Sequence, residues 1–214
     1  MDAEAPKRKT QRTYDGTRRQ ERARQQHEAT LERARELFLD QGYGATTVES
    51  IASASSVSAA TVYKTYGGKA GLVRDLCALA LAGAGPVHAE QRSDALRGAE
   101  DPRTVIEGWG ALVAEVSPRV SPLLLLLRTA AETDPDAAAL HAELDQDRLD
   151  RMADNARHLA RRGHLRAGVS ARQARDVLWL CSSPEIYELL VQQRGWTPQQ
   201  LGGLVVDTIA GALL

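Results

Sequence analysis

The segment from Thr46 to Leu72, TTVESIASASSVSAATVYKTYGGKAGL, constrains the fold more than any other: it reads as two short helices joined by a tight turn. Ile51, Ala52, Val57 and Val62 fall where a helix-turn-helix needs buried residues, and Ala52 is small where the two helices would cross. Thr46 followed by Glu49 fits a capping box for the first helix and leaves the Thr47 hydroxyl for a phosphate, and both threonines are candidate DNA contacts. Ser58 fits the cap of the second helix, which Gly67-Gly68 ends. Ser58, Thr61, Tyr63 and Lys64 then project as hydrogen-bond donors, the chemistry of a helix laid in the major groove of DNA. Ala59 or Ala60 suits a thymine methyl, and Lys64 suits either a guanine edge or a phosphate. Tyr63 and Thr47 suit phosphates, which position a protein without specifying sequence. Lys69 stands near the start of the next helix, where it would add charge to a helix-end phosphate site.

These residues also carry a family resemblance. Leu37-Phe38, Gly42-Tyr43, Thr47-Val48, Ile51-Ala52, Val57-Ser58, Thr61, Tyr63, Tyr66, Lys69 and Leu72 resemble, at fixed spacing from Thr30 to Leu72, the DNA-binding domain of the TetR (tetracycline-repressor-like) transcription regulators. Two positions depart from that pattern. Ser56 stands where the family usually has a turn glycine, which asks a non-glycine residue for a positive or near-positive φ. Thr30 replaces an aliphatic residue early in helix 1. The resemblance implies that Tyr66 fills an aromatic core position against Phe38. It also implies a homodimer, a small-molecule effector held in a C-terminal bundle, and control of an inverted-repeat double-stranded DNA operator, usually by repression. Activation would need the same DNA contacts, and a helical protein-interaction module without promoter binding is the remaining alternative.

Charge supports a nucleic-acid partner at one end. From Lys7 to Arg24, eight basic residues face two acidic ones, so this stretch carries +6 in a chain whose net charge is −1. An arm of this kind, including Arg12 and Arg18, neutralises phosphates or enters a minor groove; the alternative is a solvated tail that aids solubility. MDAEAPKRKT has no apolar signal-like core, and the longest apolar run, Leu123 to Leu127, is far too short to span a bilayer, so a cytoplasmic protein without membrane partners is expected. Cys77 and Cys181 lie in apolar surroundings and read as small buried hydrophobes rather than a disulfide.

An enzyme is not indicated. There is no metal-binding Glu-x-x-His spacing, glycine-rich phosphate loop or nucleophile elbow, and Asp145-x-Asp147 points its carboxylates to different helix faces. His27, His88, His141, His158 and His164 do not cluster, and neither a metal nor a cofactor is expected.

The whole chain reads as all-α: an N-terminal three-helix helix-turn-helix domain and a C-terminal helical bundle, about nine helices in total. Residues 1–24 form the basic arm and the start of helix 1, 25–68 the DNA-binding domain, and 69–214 the ligand-binding and dimerisation domain. Helix 1 is expected from Thr17 to Gln41, stopped by Gly42, and helix 4 from Lys69 to Ala82. Asp101-Pro102 starts a helix that ends near Pro118, and Pro122 opens a separate short one. Asp134-Pro135 begins a long helix to about Arg162. A helix from Ser170 to Arg194 is expected to kink at Pro184, and Thr197-Pro198 starts the last.

Those last two helices are apolar over more than one stripe, which suits either intrachain core or a partner surface. Leu178, Ile186, Leu189, Leu190, Leu201, Leu204, Val205, Thr208, Ile209 and Ala212 are the candidate dimer interface, because the resemblance implies pairing through these helices. Candidate effector contacts are Trp109, Leu125, Arg128, His141, Leu144, Met152, Trp179 and Tyr187. Arg128, a charge within an apolar helix, suits an anionic ligand or an ion pair with Glu132.

Overall fold

The computed structural model describes residues 11–83, 85 and 87–214, and every regular element in it is helical. The helices are α1 (Gln11–Ala45), α2 (Val48–Ala54), α3 (Ala59–Tyr66), α4 (Lys69–Ala82), α5 (Ala89–Leu96), α6 (Pro102–Ala130), α7 (Pro135–Arg161), α8 (Ala171–Cys181), α9 (Pro184–Tyr187) and α10 (Pro198–Leu213). A π-helical turn, Glu188–Gln192, continues α9. Lys7, Arg8 and Lys9, the side chain of Arg12, and Ala84 and Pro86 of the Gly/Pro break lie outside the described residues.

Helix ends follow local chemistry. Thr47, Ser58, Ser170, Ser183 and Thr197 each accept a backbone N–H three residues on, and Ser50, Gln173 and Gln200 return the bond to complete capping boxes at α2, α8 and α10. Gly42 breaks the regular path of α1 with φ +82°, so the expected stop is present although one more turn follows.

Two apolar cores stack end to end. The first gathers Leu31, Ala34, Phe38, Ile51, Val62, Leu72 and Leu76 with Val120, Leu123, Leu127 and Leu140 from α6 and α7. The second gathers Val105, Ile106, Trp109, Leu159, Leu178, Leu201, Val205 and Ile209. α6 belongs to both. Gly110 on α6 and Gly202 on α10 allow these helices to pack backbone to backbone: a Cβ on Gly202 would lie 2.6 Å from the Gly110 carbonyl oxygen.

Two expectations about prolines fail. α6 does not end near Pro118 but runs unbroken for 29 residues through Pro118 and Pro122. Each proline removes one intrahelical donor, yet α1, α4, α7, α9 and α10 all pack on α6, and that packing outweighs the loss. The joined helix has the bare length and apolarity of a bilayer span, with a mean hydropathy of 1.4 over 18 residues, so the short run Leu123–Leu127 understated it. Pro184 does not kink one helix; it starts a new one. The chain breaks at Ser182 and Ser183, Ser183 caps α9, and Pro184 takes the first helical position, where a missing N–H costs nothing.

Candidate nucleic-acid interface

α3 is held by one apolar contact line and presents the rest of its surface. Val62 is fully buried and Ala59 half-buried against the first core, while Ala60, Thr61, Tyr63 and Lys64 are exposed. Ser58 Oγ accepts the Thr61 N–H at 3.1 Å and lies 2.8 Å from Thr61 Oγ1, so cap and hydroxyls form one small polar cluster at the helix N-terminus. Tyr63 is 52% exposed. Lys64 makes no ion pair among the described residues, which leaves its charge available to a phosphate or a base edge.

The turn before α3 holds Ser56 at φ +56°, the positive value its position asked for. Backbone bonds Ser56 N–H to Ser53 O and Val57 N–H to Ala52 O close the turn, and the Gln26 amide ties it to α1 by donating to Ser55 O at 2.9 Å. A second tether joins α1 to α3: Tyr66 Oη lies 2.9 Å from His27 Nδ1 with the rings stacked. Tyr66 packs against the first core, as expected, but its ring stacks on His27, and Phe38 stacks on Tyr43. Gln26 and His27 gave no local signal in sequence, because their partners lie 29 and 39 residues away.

Two expected DNA contacts, Thr46 and Lys69, take other places, and Thr47 takes the cap expected of Thr46. Thr46 is fully buried and donates its hydroxyl to the Leu37 and Gly42 carbonyls, so it fixes the end of α1 and reaches no ligand. The α2 cap is Thr47 with Ser50, one residue later than the Thr46–Glu49 pair; the Thr47 oxygen accepts the Ser50 N–H, and the residue remains exposed. Lys69 turns inward: its ammonium donates to Tyr43 O at 2.9 Å and sits 4.2 Å over the Tyr43 ring. Burial pushes that phenol up to about 12, with Asp134 and Asp136 adding to the shift, so it stays neutral beneath the lysine. On α1, Arg18, Arg19, Arg22 and Arg24 are exposed, and Arg24 pairs with Glu21 and Glu28.

Beyond the first core a cavity of about 290 Å³ opens between α4, α5, α6, α7, α8 and α10. Of the expected effector contacts, Trp109, Leu144 and Met152 line it. His141 and Trp179, with Leu144 again, line a neighbouring cleft. Leu125, Arg128 and Tyr187 line neither. Arg128 instead donates to Glu185 at 2.8 Å and Glu188 at 3.2 Å, so its ion pairs reach these residues and not Glu132. Tyr187 is buried in the second core. Sequence reasoning missed Asn155, a buried amide among the inward apolar positions of α7, and both cysteines, which line the same cavity. Burial pushes their thiols up to about 12 for Cys77 and about 11 for Cys181, so neither is a ready nucleophile.

The candidate interface residues divide in two. Leu178, Leu201, Val205 and Ile209 are 1–3% exposed within the chain's own second core and offer no surface to a partner. Ile186, Leu190 and Ala212 also pack against that core but remain partly accessible. Leu189, Leu204 and Thr208 face outward, as does Leu180, 53% exposed on α8 and absent from the expected set.

Residues 31–76 match the model of the bacterial regulatory proteins of the tetR family. No curated protein matches the sequence. Similar solved structures include NalD, the secondary repressor of the MexAB-OprM multidrug efflux pump in Pseudomonas aeruginosa, with TM-score 0.71 and 21% identity over 91% of this chain and 98% of NalD. SmeT in its complex with triclosan superposes with TM-score 0.68 and 18% identity, covering 88% of this chain and 91% of SmeT. The TetR family regulator PfmR from Thermus thermophilus gives TM-score 0.60 and 19% identity, covering 86% of this chain and 98% of PfmR. The chain thus carries the N-terminal domain of the tetR family of bacterial regulatory proteins, and the fold of TetR-family transcriptional regulators extends over nearly its whole length.

Proposed function

We propose that this protein is a homodimeric transcriptional repressor that reads an inverted-repeat operator with α3 and releases it when a small molecule fills the cavity beside α4. The observation that carries the reading is the outward display of Ala60, Thr61, Tyr63 and Lys64 on a helix anchored by buried Val62 and capped by Ser58. One such helix covers only a few base pairs, and a two-fold pair sets two of them in successive major grooves about 34 Å apart. The exposed Leu180, Leu189, Leu204 and Thr208 supply a surface for that pairing.

α4 supports a link between cavity and DNA. Its Leu72, Val73 and Leu76 sit in the first core, and one turn on, Cys77 and Leu81 line the cavity. A ligand touching those residues shifts DNA affinity to the extent that it binds the two placements of α4 unequally. The names of two structural relatives fit: one is a repressor of an efflux pump and another was captured with triclosan. Footprinting the purified protein on DNA flanking its own gene tests the reading. Two protected blocks related by inverted symmetry, centred about 10 base pairs or a multiple apart, are expected. Uniform, salt-sensitive coating without a footprint would refute operator binding.

A further inference from the structure

Resting on the effector reading above, we infer that the cavity selects an apolar molecule that carries no negative charge and presents one acceptor oxygen to the Trp109 indole. Trp109 lines the cavity and is 6% exposed, and its buried Nε1–H has no hydrogen-bond partner among the described residues. An indole nitrogen can only donate, and this one is closed off from water, so the acceptor that relieves it arrives with a ligand that displaces the side chains now covering it.

The charges around the cavity decide the sign of the ligand. Two arginines reach it, and both are engaged by the protein. Arg148 donates to Trp179 O at 2.6 Å, pairs with Asp145 at 2.7 Å and lies over the Trp179 ring. Arg151 donates to Glu90 O at 2.7 Å and pairs with Asp94 at 3.0 Å. Two further lining residues, Glu90 and Asp147, are exposed carboxylates that enter no ion pair among the described residues, with Asp147 lying in the field of Arg74. Asn155, the buried amide of the lining, already uses its carbonyl oxygen to accept from Arg97. A carboxylate ligand would give up its water and meet a lining with no spare cation, whereas a neutral one loses nothing on that account. The volume, about 290 Å³, stands at the small end of ligand pockets, which run from ~300 to 1,000 Å³.

A displacement titration tests this on the full-length protein. The neutral dye N-phenyl-1-naphthylamine reports occupancy, and Ser117→Trp, which fills the cavity, is the control that locates it. Three displacers share one diphenyl frame: benzophenone with an acceptor, diphenylmethane without one, and 4-benzoylbenzoate with a negative charge added at the para position. Benzophenone is expected to displace the dye at about three- to tenfold lower concentration than diphenylmethane, the size of effect one neutral hydrogen bond gives. 4-Benzoylbenzoate is expected to be the weakest of the three. Trp109→Phe should bring benzophenone and diphenylmethane together. The double variant E90Q/D147N keeps the test open if Trp109→Phe does not fold: it should narrow the penalty on the benzoate and leave the ketone's advantage intact. A benzoate that displaces as well as the ketone, an advantage that survives Trp109→Phe, or a penalty unmoved in E90Q/D147N would overturn the inference while the effector pocket stood. Absence of any dye signal that Ser117→Trp removes would overturn the effector pocket itself, and the inference with it.

Discussion

Arg74 on α4 and Glu143 on α7 meet fork to fork: both terminal guanidinium nitrogens of Arg74 donate to the carboxylate, Nη1 to Oε1 and Nη2 to Oε2, the latter at 2.8 Å. The pair joins the helix that follows the DNA-reading head to the wall of the bundle. Both partners are about half exposed, 46% and 47%, so solvent screens the attraction and its worth lies in geometry more than in stability. The Arg74 hydrogen bond holds the Glu143 carboxyl below its ordinary value of 4.5. A carboxyl with a lowered folded-state value binds fewer protons than the unfolded chain in that window. Its contribution is therefore complete above 4.5 and fades as pH falls through the lowered value. Thermal melts from pH 6 to 3 should show a shallower acid limb for Glu143→Gln than for the parent protein; parallel limbs would contradict this.

Lys64 and Thr61 separate the ways of touching DNA. If Lys64 meets a guanine edge, Lys64→Ala should cost about 1–3 kcal/mol on operator and almost nothing on scrambled duplex. If it meets a phosphate, both affinities fall alike and the salt dependence flattens by about one unit of slope. Gel shifts with the two duplexes at several salt concentrations distinguish these results, and unchanged binding to both would remove Lys64 from the interface.

Ser56 pays for its left-handed backbone in the turn between α2 and α3. Ser56→Gly should remove about 1–2 kcal/mol of strain while adding back up to about 1 kcal/mol of unfolded-state freedom. The net expectation is a gain of about 0.5–1 kcal/mol, or a melting temperature about 1–4 °C higher. A lower melting temperature would mean that the serine side chain itself holds the turn.

The crossing of α6 and α10 has no room for a methyl group. A Cβ on Gly202 would fall 2.6 Å from Gly110 O and 3.1 Å from the Ala114 Cβ, both on α6. Gly202→Ala should destabilise by about 1–3 kcal/mol despite the better helix propensity of alanine. Calorimetry that found the variant as stable as its parent would mean the two helices can part.

Leu201 and Leu204 lie on one helix but should respond differently to charge. Leu204→Glu, at a position 37% exposed, should leave the fold intact and move the protein from dimer to monomer in sedimentation velocity, as should Leu189→Glu. Leu201→Glu, at 1% exposed, should unfold the chain by burying an unpaired carboxylate. A folded dimer in both outward variants would move the pairing surface elsewhere.

Much of this molecule was legible because its signals are local. The Ser58 cap, the helix starts at Ser170 and Thr197 and the stop at Gly42 each depend on residues within one turn of one another. What escaped depends on distant partners. Nothing near Arg128 announces Glu185 or Glu188, and nothing near Lys69 announces the Tyr43 carbonyl. Pro118 and Pro122 argued for a break because propensity speaks for the isolated segment, while the helices packed on α6 speak for the fold. On α10, apolar residues on two faces could not say which stripe turns inward; Leu201, Val205 and Ile209 do.

The sharing of α6 leaves the polypeptide without a seam. A rod of 29 residues, about 44 Å from end to end, supplies Val105, Ile106 and Trp109 to one interior and Val120, Leu123 and Leu127 to the other. A fragment cut after residue 68 would strip Phe38, Ile51 and Val62 of the α4 and α6 side chains that cover them. The helix-turn-helix segment thus leans on the rod for part of its cover, and whatever strains one end of that rod is felt at the other.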